Sequence, residues 1–474
     1  MPINGFLYPG ASGPPTPYEV ANSLRFSGSG SDDYLNRSLS SNGNRKIWTC
    51  SAWTKRVELG RIQVIMFAGP NGTDSYPMYF RNDDRINSAY YADGGFVYRL
   101  ETNAVFRDVG AWMHIVVAFD STQSTASNRV KMYVNGTQIT SFKTASYPSL
   151  NAEYSWNNSS YNHRIGYQTT HNDFDYHGYL AEVVHIDGQA LDQTSFGEFD
   201  EKSPNIWKPV DVSGLTFGTN GFYLDFEDSS ALGNDVSGNN NDFSVNNLAA
   251  VDQSTDTCTN NFATLNPLYK QDHAFSDGNL THTSSSADWD SGVSTIAASS
   301  GKYYFEAKVT AIEPPTRTML GVGDVRDANE IAEDQFGLTN YNNGDTVAYY
   351  GSDGSVYKNG SQQSGSWSSF TTNDIVGMYV DLDNGKVYFH KNGTMQNSGD
   401  PTSGSTGTGA ISITTGQTYV FGVTHYGGGA GQINFGSPPF SISSGNADPN
   451  GYGNFEYDPQ GYYALNTKNL AEFG

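Results

Sequence analysis

The sequence predicts an all-β protein made of two β-sandwiches in series. Short stretches of alternating apolar and polar residues recur along the chain and are separated by clusters of Gly, Asn, Ser and Asp, which is typical of strands joined by turns. No long stretch has the apolar period of an amphipathic helix. The chain of 474 residues is also too long for one comfortable core, so two domains are expected.

The charge and the cysteine content exclude several classes of protein. With 26 Lys and Arg against 49 Asp and Glu, the net charge is −23, and so acidic a surface disfavours a nucleic-acid groove. Cys50 and Cys258 are too far apart in sequence for a disulfide framework, and free thiols suit a reducing cytoplasm. The N-terminus MPINGFLYPGASGPPTPYEV lacks the pattern of a secretory signal, and no apolar run reaches transmembrane length. We therefore expect no nucleic-acid partner, no membrane insertion, and release from a cell by assembly or lysis.

The first half of the chain predicts one sandwich. Residues 1–20 are rich in Gly and Pro and are interpreted as an extended arm. Strand patterns follow in NSLRFSGSGSDDYLNRS, IWTCSAWTKR, RIQVIMFAG, YPMYFRN, GGFVYRLE, AWMHIVVAFD, VKMYVNGTQI, GYLAEVVHIDGQAL and GFYLDFED. They predict a first sandwich over residues 21–230 and leave the Asn-rich stretch 231–270 as a connector.

The second half repeats this organisation. Strand patterns in GKYYFEAKVT, TMLGVGDV, TVAYYG, DIVGMYVDLD, KVYFHKNG, TYVFGVTHY and GQINFG predict a second sandwich over residues 271–440. Residues 441–474 form a Gly- and Pro-rich tail, which, like the N-terminal arm, is expected to order only on a partner. The tail sequence YYALNTKNL echoes FATLNPL at the end of the connector, as though each sandwich were followed by a similar joint.

A similar hairpin pattern occurs in both halves of the chain. VKMYVNGTQI follows HIVVAFD, and GKVYFHKNGTMQ follows DIVGMYVDLD, so a buried strand ending in Asp precedes an alternating strand and an Asn-Gly turn in both. Asn-Gly supplies the positive φ angles of a tight hairpin turn, but YKNGS shares it, so the strand before the turn is the more specific feature.

These segments carry two family resemblances. GKYYFEAKV followed by DIVGMYVDLDNGKVYFHKNG resembles the SPRY domain, a concanavalin-like sandwich used for recognition, over about residues 272–437. AWMHIVVAFD, VKMYVNGTQI and GYLAEVVHIDGQAL resemble a laminin G-like, concanavalin A-like jelly roll over about residues 20–230. DVSGNNNDF also resembles a laminin G motif, although it follows the closing strand instead of preceding the first. The resemblance thus implies two concanavalin A-like sandwiches in tandem.

The pairing of these two modules is similar to structural proteins of tailed bacteriophages, particularly marine ones. It implies a virion protein, such as a tail fibre or tail-associated adhesin, that attaches to other virion proteins and binds a host-surface glycan. By the same analogy we expect a homo-oligomer, namely a trimer. The alternatives are a capsid or tail decoration protein with a purely structural role and, third, a carbohydrate-active enzyme.

A loop rich in aromatic and amide side chains is the candidate carbohydrate site. Sugars bind through their C–H faces to aromatic rings and through their hydroxyls to amides or carboxylates. The candidates are Trp156, Asn157, Tyr161, Asn162, His163, Tyr167, Asp173 and Tyr176. The alternative is that Trp156 and several of these tyrosines pack the loop or an oligomer interface.

The second sandwich and the connector supply further candidates. A recognition surface on the SPRY-like loops is predicted at Arg326, Asp327, Tyr341, Tyr349 and Trp367, with a structural role as the alternative for each. Because calcium prefers hard oxygen ligands from loops, a calcium site is considered at Asp225, Asp228, Asp235, Asn239 and Asp242, against ordinary Asp- and Asn-rich turns. In HNDFDYH at 171–177 the acidic and His side chains are too far apart along a strand to share an ion without a bend.

No sequence pattern favours catalysis. Laminarinase-like members of the sandwich family place carboxylates as Glu-x-Asp-x-x-Glu on one strand, whereas the nearest string, at 198–201, lacks the third carboxylate. Neither cysteine has a nearby His in the sequence that would suggest a thiol nucleophile. We therefore expect a protein that is not an enzyme.

Overall fold

The protein consists of two β-sandwiches in tandem, as predicted. The computed structural model describes residues 17–27, 32–70, 72–168, 174–269, 273–285, 287–312, 316–341 and 343–474. The first sandwich contains β1 (Ser23–Phe26), β2 (Tyr34–Ser38), β3 (Ile47–Arg56), β4 (Gln63–Ala68), β5 (Thr73–Phe80), β6 (Ile86–Ala92), β7 (Gly95–Thr102), β8 (Met113–Asp120), β9 (Val130–Val134), β10 (Thr137–Gln138), β11 (Phe142–Ser146), β12 (Asn162–Ile165), β13 (Gly178–Asp187), β14 (Gly197–Phe199), β15 (Trp207–Pro209), β16 (Phe222–Leu224), β17 (Ser244–Asn246) and β18 (Gln253–Ser254).

The second sandwich follows the same plan with shorter strands and two short helices. It contains β19 (His273–Ser276), β20 (Thr281–Ser284), β21 (Trp289–Val293), β22 (Lys302–Ala311), β23 (Thr318–Asp324), α1 (Ala328–Glu333), β24 (Thr346–Tyr350), β25 (Val356–Lys358), β26 (Ser361–Gln362), β27 (Ile375–Asp381), β28 (Lys386–Lys391), β29 (Thr394–Met395), β30 (Ile411–Ser412), β31 (Tyr419–Tyr426), β32 (Ala430–Asn434) and α2 (Thr467–Phe473). Among the described residues, no helix is both long and apolar enough to cross a membrane.

Each sandwich stacks two antiparallel sheets over an apolar core. In the first, sheet I has the order β10-β9-β8-β3-β13-β1-β18, with β16 added to β13, and sheet II has the order β11-β7-β6-β5-β4-β12-β2-β17. In the second, sheet III runs β19-β20-β32-β22-β27-β28-β29, with β30 added to β28, and sheet IV runs β21-β31-β23-β24-β25-β26. Alternation places one side chain in two between the sheets, so Met78 and Phe80 of β5 are fully buried in the first core.

The repeated Asn-Gly turns have one conformation and one function. Asn135, Asn359 and Asn392 all have positive φ angles of 45–48°, and the Gly after each has φ 76°. The Asn135 side-chain oxygen accepts a hydrogen bond of 2.8 Å from the amide of His114 in the neighbouring strand, and Asn392 accepts one of the same length from Ile375. The Asn side chain therefore also satisfies a backbone amide near the start of the neighbouring strand, which a Gly-Gly turn cannot do.

The stretch predicted as a connector contributes strands to the first sandwich. β17 pairs with β2, and β18 pairs with β1, so the first sandwich uses residues up to Ser254. The two echoing joints then pair with each other, because Phe262 forms an antiparallel bridge with Asn466, and the Ala263 amide donates to the Leu465 carbonyl at 3.0 Å. The similarity of FATLNPL and YYALNTKNL thus corresponds to two segments lying side by side.

A buried ion pair fixes the first sandwich to this joint. Lys55, in β3, has a fully buried side chain, and its ammonium donates to Asp256 at 2.6 Å, to Asn261 at 2.7 Å and to the Phe262 carbonyl at 2.9 Å. The other Asp256 carboxylate oxygen accepts from the Trp112 indole at 2.9 Å. All three ammonium protons are used, which offsets much of the cost of burying this charge.

The C-terminal tail does not match the prediction that it orders only on a partner. It packs on the outer face of sheet III, where Phe455, Tyr462 and Ala464 join a buried cluster with Tyr304 and Tyr379. The backbone of the tail also pairs with β22, since the Tyr304 amide donates to the Tyr463 carbonyl at 2.9 Å. The Gly and Pro content suggested an extended arm, but its few large aromatic residues bury enough apolar surface to order it on its own chain.

The buried carboxyl group of Glu306, in β22, binds the tail to sheet III. Glu306 accepts hydrogen bonds from the Tyr304 hydroxyl at 2.9 Å, the Asn434 amide at 3.0 Å and the backbone amides of Glu456 and Tyr457 at 2.8 and 3.3 Å. Burial raises the pKa of Glu306 to about 7 despite these donors. Because the pKa of Glu306 is higher in the folded than in the unfolded protein, its contribution to stability is fully present below about pH 4.5. That contribution is lost as the pH rises through 7.

Candidate functional site

An aromatic groove lies on the outer face of sheet II, the face turned away from the first core. A β-bulge between Tyr76 and Tyr79 in β5 shifts the alternation by one residue, so these two tyrosines face outward although they are three residues apart. The groove has a volume of about 530 Å³. It is lined by Ile62, Gly72, Asp74, Tyr76, Tyr79, Arg81, Tyr91, Gly94, Phe96, Gln168 and Phe174.

The groove runs lengthwise along β5, with a carboxylate at one end and a guanidinium at the other. Asp74 lies opposite Tyr91 in β6, and the Arg81 amide donates to the Arg85 carbonyl just before β6. Six residue steps of β6 at about 3.3 Å separate these two positions, so the two ends are about 20 Å apart. The groove is therefore long enough for a short oligosaccharide.

The aromatic rings of the groove divide into a buried floor and an accessible rim. Tyr76 and Tyr79 form the floor with ring centroids 5.1 Å apart and are 8% and 4% exposed. Tyr91 and Phe174 are half-buried, and Phe96 is 41% exposed, with its ring 5.4 Å from Tyr91 in an edge-on arrangement. The rim thus presents ring faces to which a sugar can bind through its C–H groups.

Polar groups of the groove are held in place by hydrogen bonds. The Gln168 amide donates to the Tyr76 hydroxyl at 3.0 Å, and Asp74 accepts from the Gly72 amide at 3.1 Å. Burial raises the pKa of Tyr79 to about 12, and it raises that of Tyr76 further, with Asp74 adding to the shift. Both phenols therefore stay protonated at neutral pH, and the Tyr76 hydroxyl is held in place by Gln168.

The structure places half of the predicted carbohydrate candidates in the interior. Trp156 and Asn157 are each 1% exposed, His163 is 3% exposed and Tyr176 is 1% exposed, so these four cannot contact a glycan in this conformation. Tyr161 and Asn162 are half-buried, as is Tyr167, whose ring stacks on Tyr34 with a centroid distance of 4.6 Å. Asp173 lies outside the described residues.

The four buried side chains serve the first core, which corrects their assignment to a binding surface. His185 contacts the Asn157 side-chain oxygen at 3.0 Å, and the backbone amide of Asn157 donates to His163 Nε2 at 2.9 Å. The Trp156 indole donates to His185 at 3.4 Å. Burial lowers the pKa of both histidines to about 3, so the network is neutral and fixes the loop against sheet I.

This network also brings a histidine close to Cys50, which the sequence did not indicate. The Cys50 sulfur lies 3.6 Å from Nδ1 of His185, and both residues are buried. Burial raises the pKa of the thiol well above its usual value and lowers that of His185, which is the opposite of a reactive thiolate–imidazolium pair. The pair is therefore a packed part of the core.

The predicted loop does reach the groove, but through residues that the sequence reasoning missed. Gln168 and Phe174 belong to that loop and line the groove, whereas the remaining lining residues come from β5 to β7 and the segments next to them. The sequence feature that could have indicated the groove is the string TDSYPMYFR, which has two tyrosines between an acidic and a basic residue. Simple alternation puts Tyr76 and Tyr79 on opposite faces, so only the bulge reveals that they share one.

The predicted recognition residues of the second sandwich hold loops together. Asp327 is 1% exposed and accepts from the Asn343 side chain at 2.5 Å, and Tyr349 is fully buried with its hydroxyl on the Ser368 carbonyl. Tyr341 donates to the Gln335 carbonyl at 2.9 Å, and Arg326 pairs with Asp324 at 2.8 Å. Trp367 is half-buried against the second core. The alternative structural role accounts for these contacts.

The oxygen-rich set near the connector forms turns. Asp235 accepts from the amides of Tyr223, Ser237 and Asn241, and Asp242 accepts from the Asp235 amide at 2.9 Å. Asn239 donates its side-chain amide to backbone carbonyls, while Asp225 and Asp228 accept from amides two residues later. Across the described ranges, no three His, Cys, Asp or Glu side chains group in a way that could hold a metal ion. These hydrogen bonds are those of ordinary Asp- and Asn-rich turns, which is the alternative to a calcium site.

The incomplete glucanase string lies on an exposed hairpin. Glu198 belongs to β14, and its carboxylate and that of Asp200 both contact Lys208, at 3.2 and 3.5 Å. The two carboxylates thus share a surface lysine instead of facing a cleft, which agrees with a turn-supporting role.

Fold and groove together define a protein with lectin-like, concanavalin A-like binding domains. Residues 29–194 match the family described as the concanavalin A-like lectin/glucanases superfamily, in its laminin G form, and residues 302–421 match the SPRY domain. The chain therefore carries a laminin G-like concanavalin A-like domain followed by a SPRY domain, as the two resemblances implied. No curated protein matches the chain.

Several solved structures are similar to part of the chain. The SPRY domain of human HERC1 is 19% identical, with 36% of this chain and 96% of that chain covered and a TM-score of 0.28. A heptameric SAP-like pentraxin from Limulus polyphemus is 13% identical, with coverages of 37% and 79% and a TM-score of 0.29. A putative carbohydrate binding protein from Bacteroides ovatus ATCC 8483 is 13% identical, with coverages of 44% and 53% and a TM-score of 0.28, so this chain spans about half of its length.

Proposed function

We propose that the protein binds glycans through the aromatic groove of its first sandwich. The observation that carries this proposal is the combination, in one groove, of accessible ring faces on Tyr91, Phe96 and Phe174 with fixed polar groups on Tyr76 and Gln168. This is the pairing of apolar and hydrogen-bonding surface that sugars require. The groove thereby takes the place of the predicted loop site, whose central residues are buried.

We further propose that the protein does this as a structural component of a tailed-phage virion, in a tail fibre or tail-associated adhesin. The support is the tandem of laminin G-like and SPRY domains in a strongly acidic chain. In this role its partners are other virion proteins and a host-surface glycan, it assembles as a homotrimer in the host cytoplasm, and it catalyses no reaction. A decoration protein without glycan binding is the alternative.

Glycan binding is tested by a glycan array followed by titration calorimetry on the best ligand. Removing a rim ring in Tyr91→Ala or Phe174→Ala is expected to weaken binding by roughly threefold to tenfold, the value of one good aromatic contact. Phe199→Ala is the matched control, because Phe199 is 44% exposed on the separate β14–β15 hairpin. Binding that is absent from all glycans, or unchanged in both rim variants, contradicts the groove assignment.

The virion role is tested on particles assembled in cells that carry this gene. Immunogold labelling of these particles with an antibody against the purified protein is expected on the tail. Light scattering of the purified protein is expected to give three times the mass of one chain. Label over the head instead favours the decoration alternative, and intact particles without label contradict a virion role. Release of reducing sugar from host polysaccharide would revive the enzyme alternative.

A further inference from the structure

Arg81, the arginine at one end of the groove, has no acidic partner among the described residues, in contrast to three other arginines near it. Around the same sheet, Arg61 pairs with Glu58 at 3.6 Å, and Arg85 pairs with Asp83 at 3.1 Å. Arg99 pairs with Glu101 and lies 4.8 Å from the Phe96 ring. Within the described part of the chain, Arg81 has no ion pair, and its buried Nε atom has no hydrogen-bond partner.

What distinguishes Arg81 is its place, because it lines the aromatic groove and is partly buried there without a carboxylate beside it. Burying part of a charge without a partner costs free energy, which a ligand of opposite charge recovers. The groove lined by Arg81 is where such a ligand has room.

The acidic end of the groove does not neutralise Arg81. Asp74 lies at the far end, about 20 Å away along the strand by the residue count. Charges are screened beyond about 8 Å at physiological ionic strength, so the two ends act independently. Asp74 is also engaged by the Gly72 amide, at 3.1 Å. The groove therefore has an acidic end at Asp74, a neutral aromatic stretch and a positive end at Arg81.

We propose that the groove is selective for glycans that carry a carboxylate sugar, such as a uronic or sialic acid, with the carboxylate bound by Arg81. The guanidinium fork matches a planar carboxylate through two parallel hydrogen bonds, which favours a carboxylate over a neutral hydroxyl. Neighbouring sugar rings of the same chain then lie over Tyr91 and Phe174. This inference rests on the proposed glycan binding and adds the chemical class of the glycan.

The experiment compares each acidic oligosaccharide with its carboxyl-reduced, neutral counterpart and with a sulfated analogue, printed on one array. Wild-type protein is expected to bind at least one carboxylated glycan about tenfold more tightly than its reduced form, the value of a hydrogen bond to a charged group. Arg81→Gln is expected to remove this preference and keep the weaker neutral binding. Arg81→Lys, which keeps the charge without the fork, is expected to retain part of it.

Two further variants separate this inference from the proposed function. Tyr91→Ala is expected to weaken acidic and neutral binding equally, and Lys202→Gln, which removes an exposed charge elsewhere, is expected to change neither. Equal wild-type binding of acidic and reduced forms, preference for the sulfate, or an unchanged preference in Arg81→Gln overturns the selectivity but leaves glycan binding intact. No binding to any glycan by wild type overturns both. Urea unfolding midpoints equal to wild type show that each variant is folded.

Discussion

The buried ion pair between β3 and the joint allows a sharp test of how the two sandwiches are held together. Replacing Asp256 with Ala leaves the Lys55 ammonium fully buried without its carboxylate, although Asn261 and the Phe262 carbonyl still accept from it. Removing one partner of such a pair is expected to lower the free energy of unfolding by about 3–5 kcal/mol. That is a large part of the total for a typical domain, about 5–15 kcal/mol.

Urea unfolding followed by tryptophan fluorescence is a suitable assay, because urea does not screen charges and the Trp112 indole contacts Asp256 directly. The matched control is Glu153→Ala, whose carboxylate pairs with Arg45 at 3.1 Å while 44% exposed, and which is expected to cost about 1 kcal/mol or less. The double variant Lys55→Met with Asp256→Asn removes both charges and is expected to be more stable than Asp256→Ala. A loss within 1 kcal/mol of the control, or a double variant less stable than the single one, would refute the buried-charge reasoning.

Three further outcomes are expected. As the pH rises from about 4.5 to 7, the free energy of unfolding of wild type is expected to fall by about 3 kcal/mol relative to that of Glu306→Gln, because only the ionised carboxylate is destabilised by burial. If urea unfolding gives the two proteins the same pH dependence across this range, the raised pKa of Glu306 is contradicted. Gly377→Ala is expected to destabilise the second sandwich by about 1–3 kcal/mol through overpacking, since a methyl group there would lie 1.9 Å from the His390 ring; an unchanged thermal midpoint would show that the ring moves freely. Cys50 is expected to react with a thiol reagent only on unfolding, and fast labelling in native buffer, measured by peptide mass, would mean that it is exposed.

The strands and the hairpin turns of this protein are readable from the sequence because they depend on neighbours along the chain. Asn135 and Asn392 stand in tight turns after alternating strands, and both turns have the backbone conformation that Asn-Gly predicts. The order of these hairpins was also enough to indicate the two domain families, which the matches at 29–194 and 302–421 support.

The candidate site could be predicted only as a composition. The sequence predicted a binding site of aromatic and amide side chains in the first sandwich, but it assigned Trp156 to the surface and overlooked Phe174, which lies in the groove. Both are aromatic residues in one loop, and nothing local distinguishes the one that packs from the one that is accessible. Whether each of these side chains is buried or accessible depends on whether a sheet or solvent lies beside it.

Alternation along the chain therefore determined that each strand has two faces, and the turns determined where the strands end. Only the tertiary structure decided which face is covered. The bulge in β5 turns Tyr76 and Tyr79 to the same side, and the tail covers sheet III while the outer face of sheet II keeps an accessible groove. The physical reason is that burial is a property of packed elements distant in sequence, whereas periodicity is a property of neighbours.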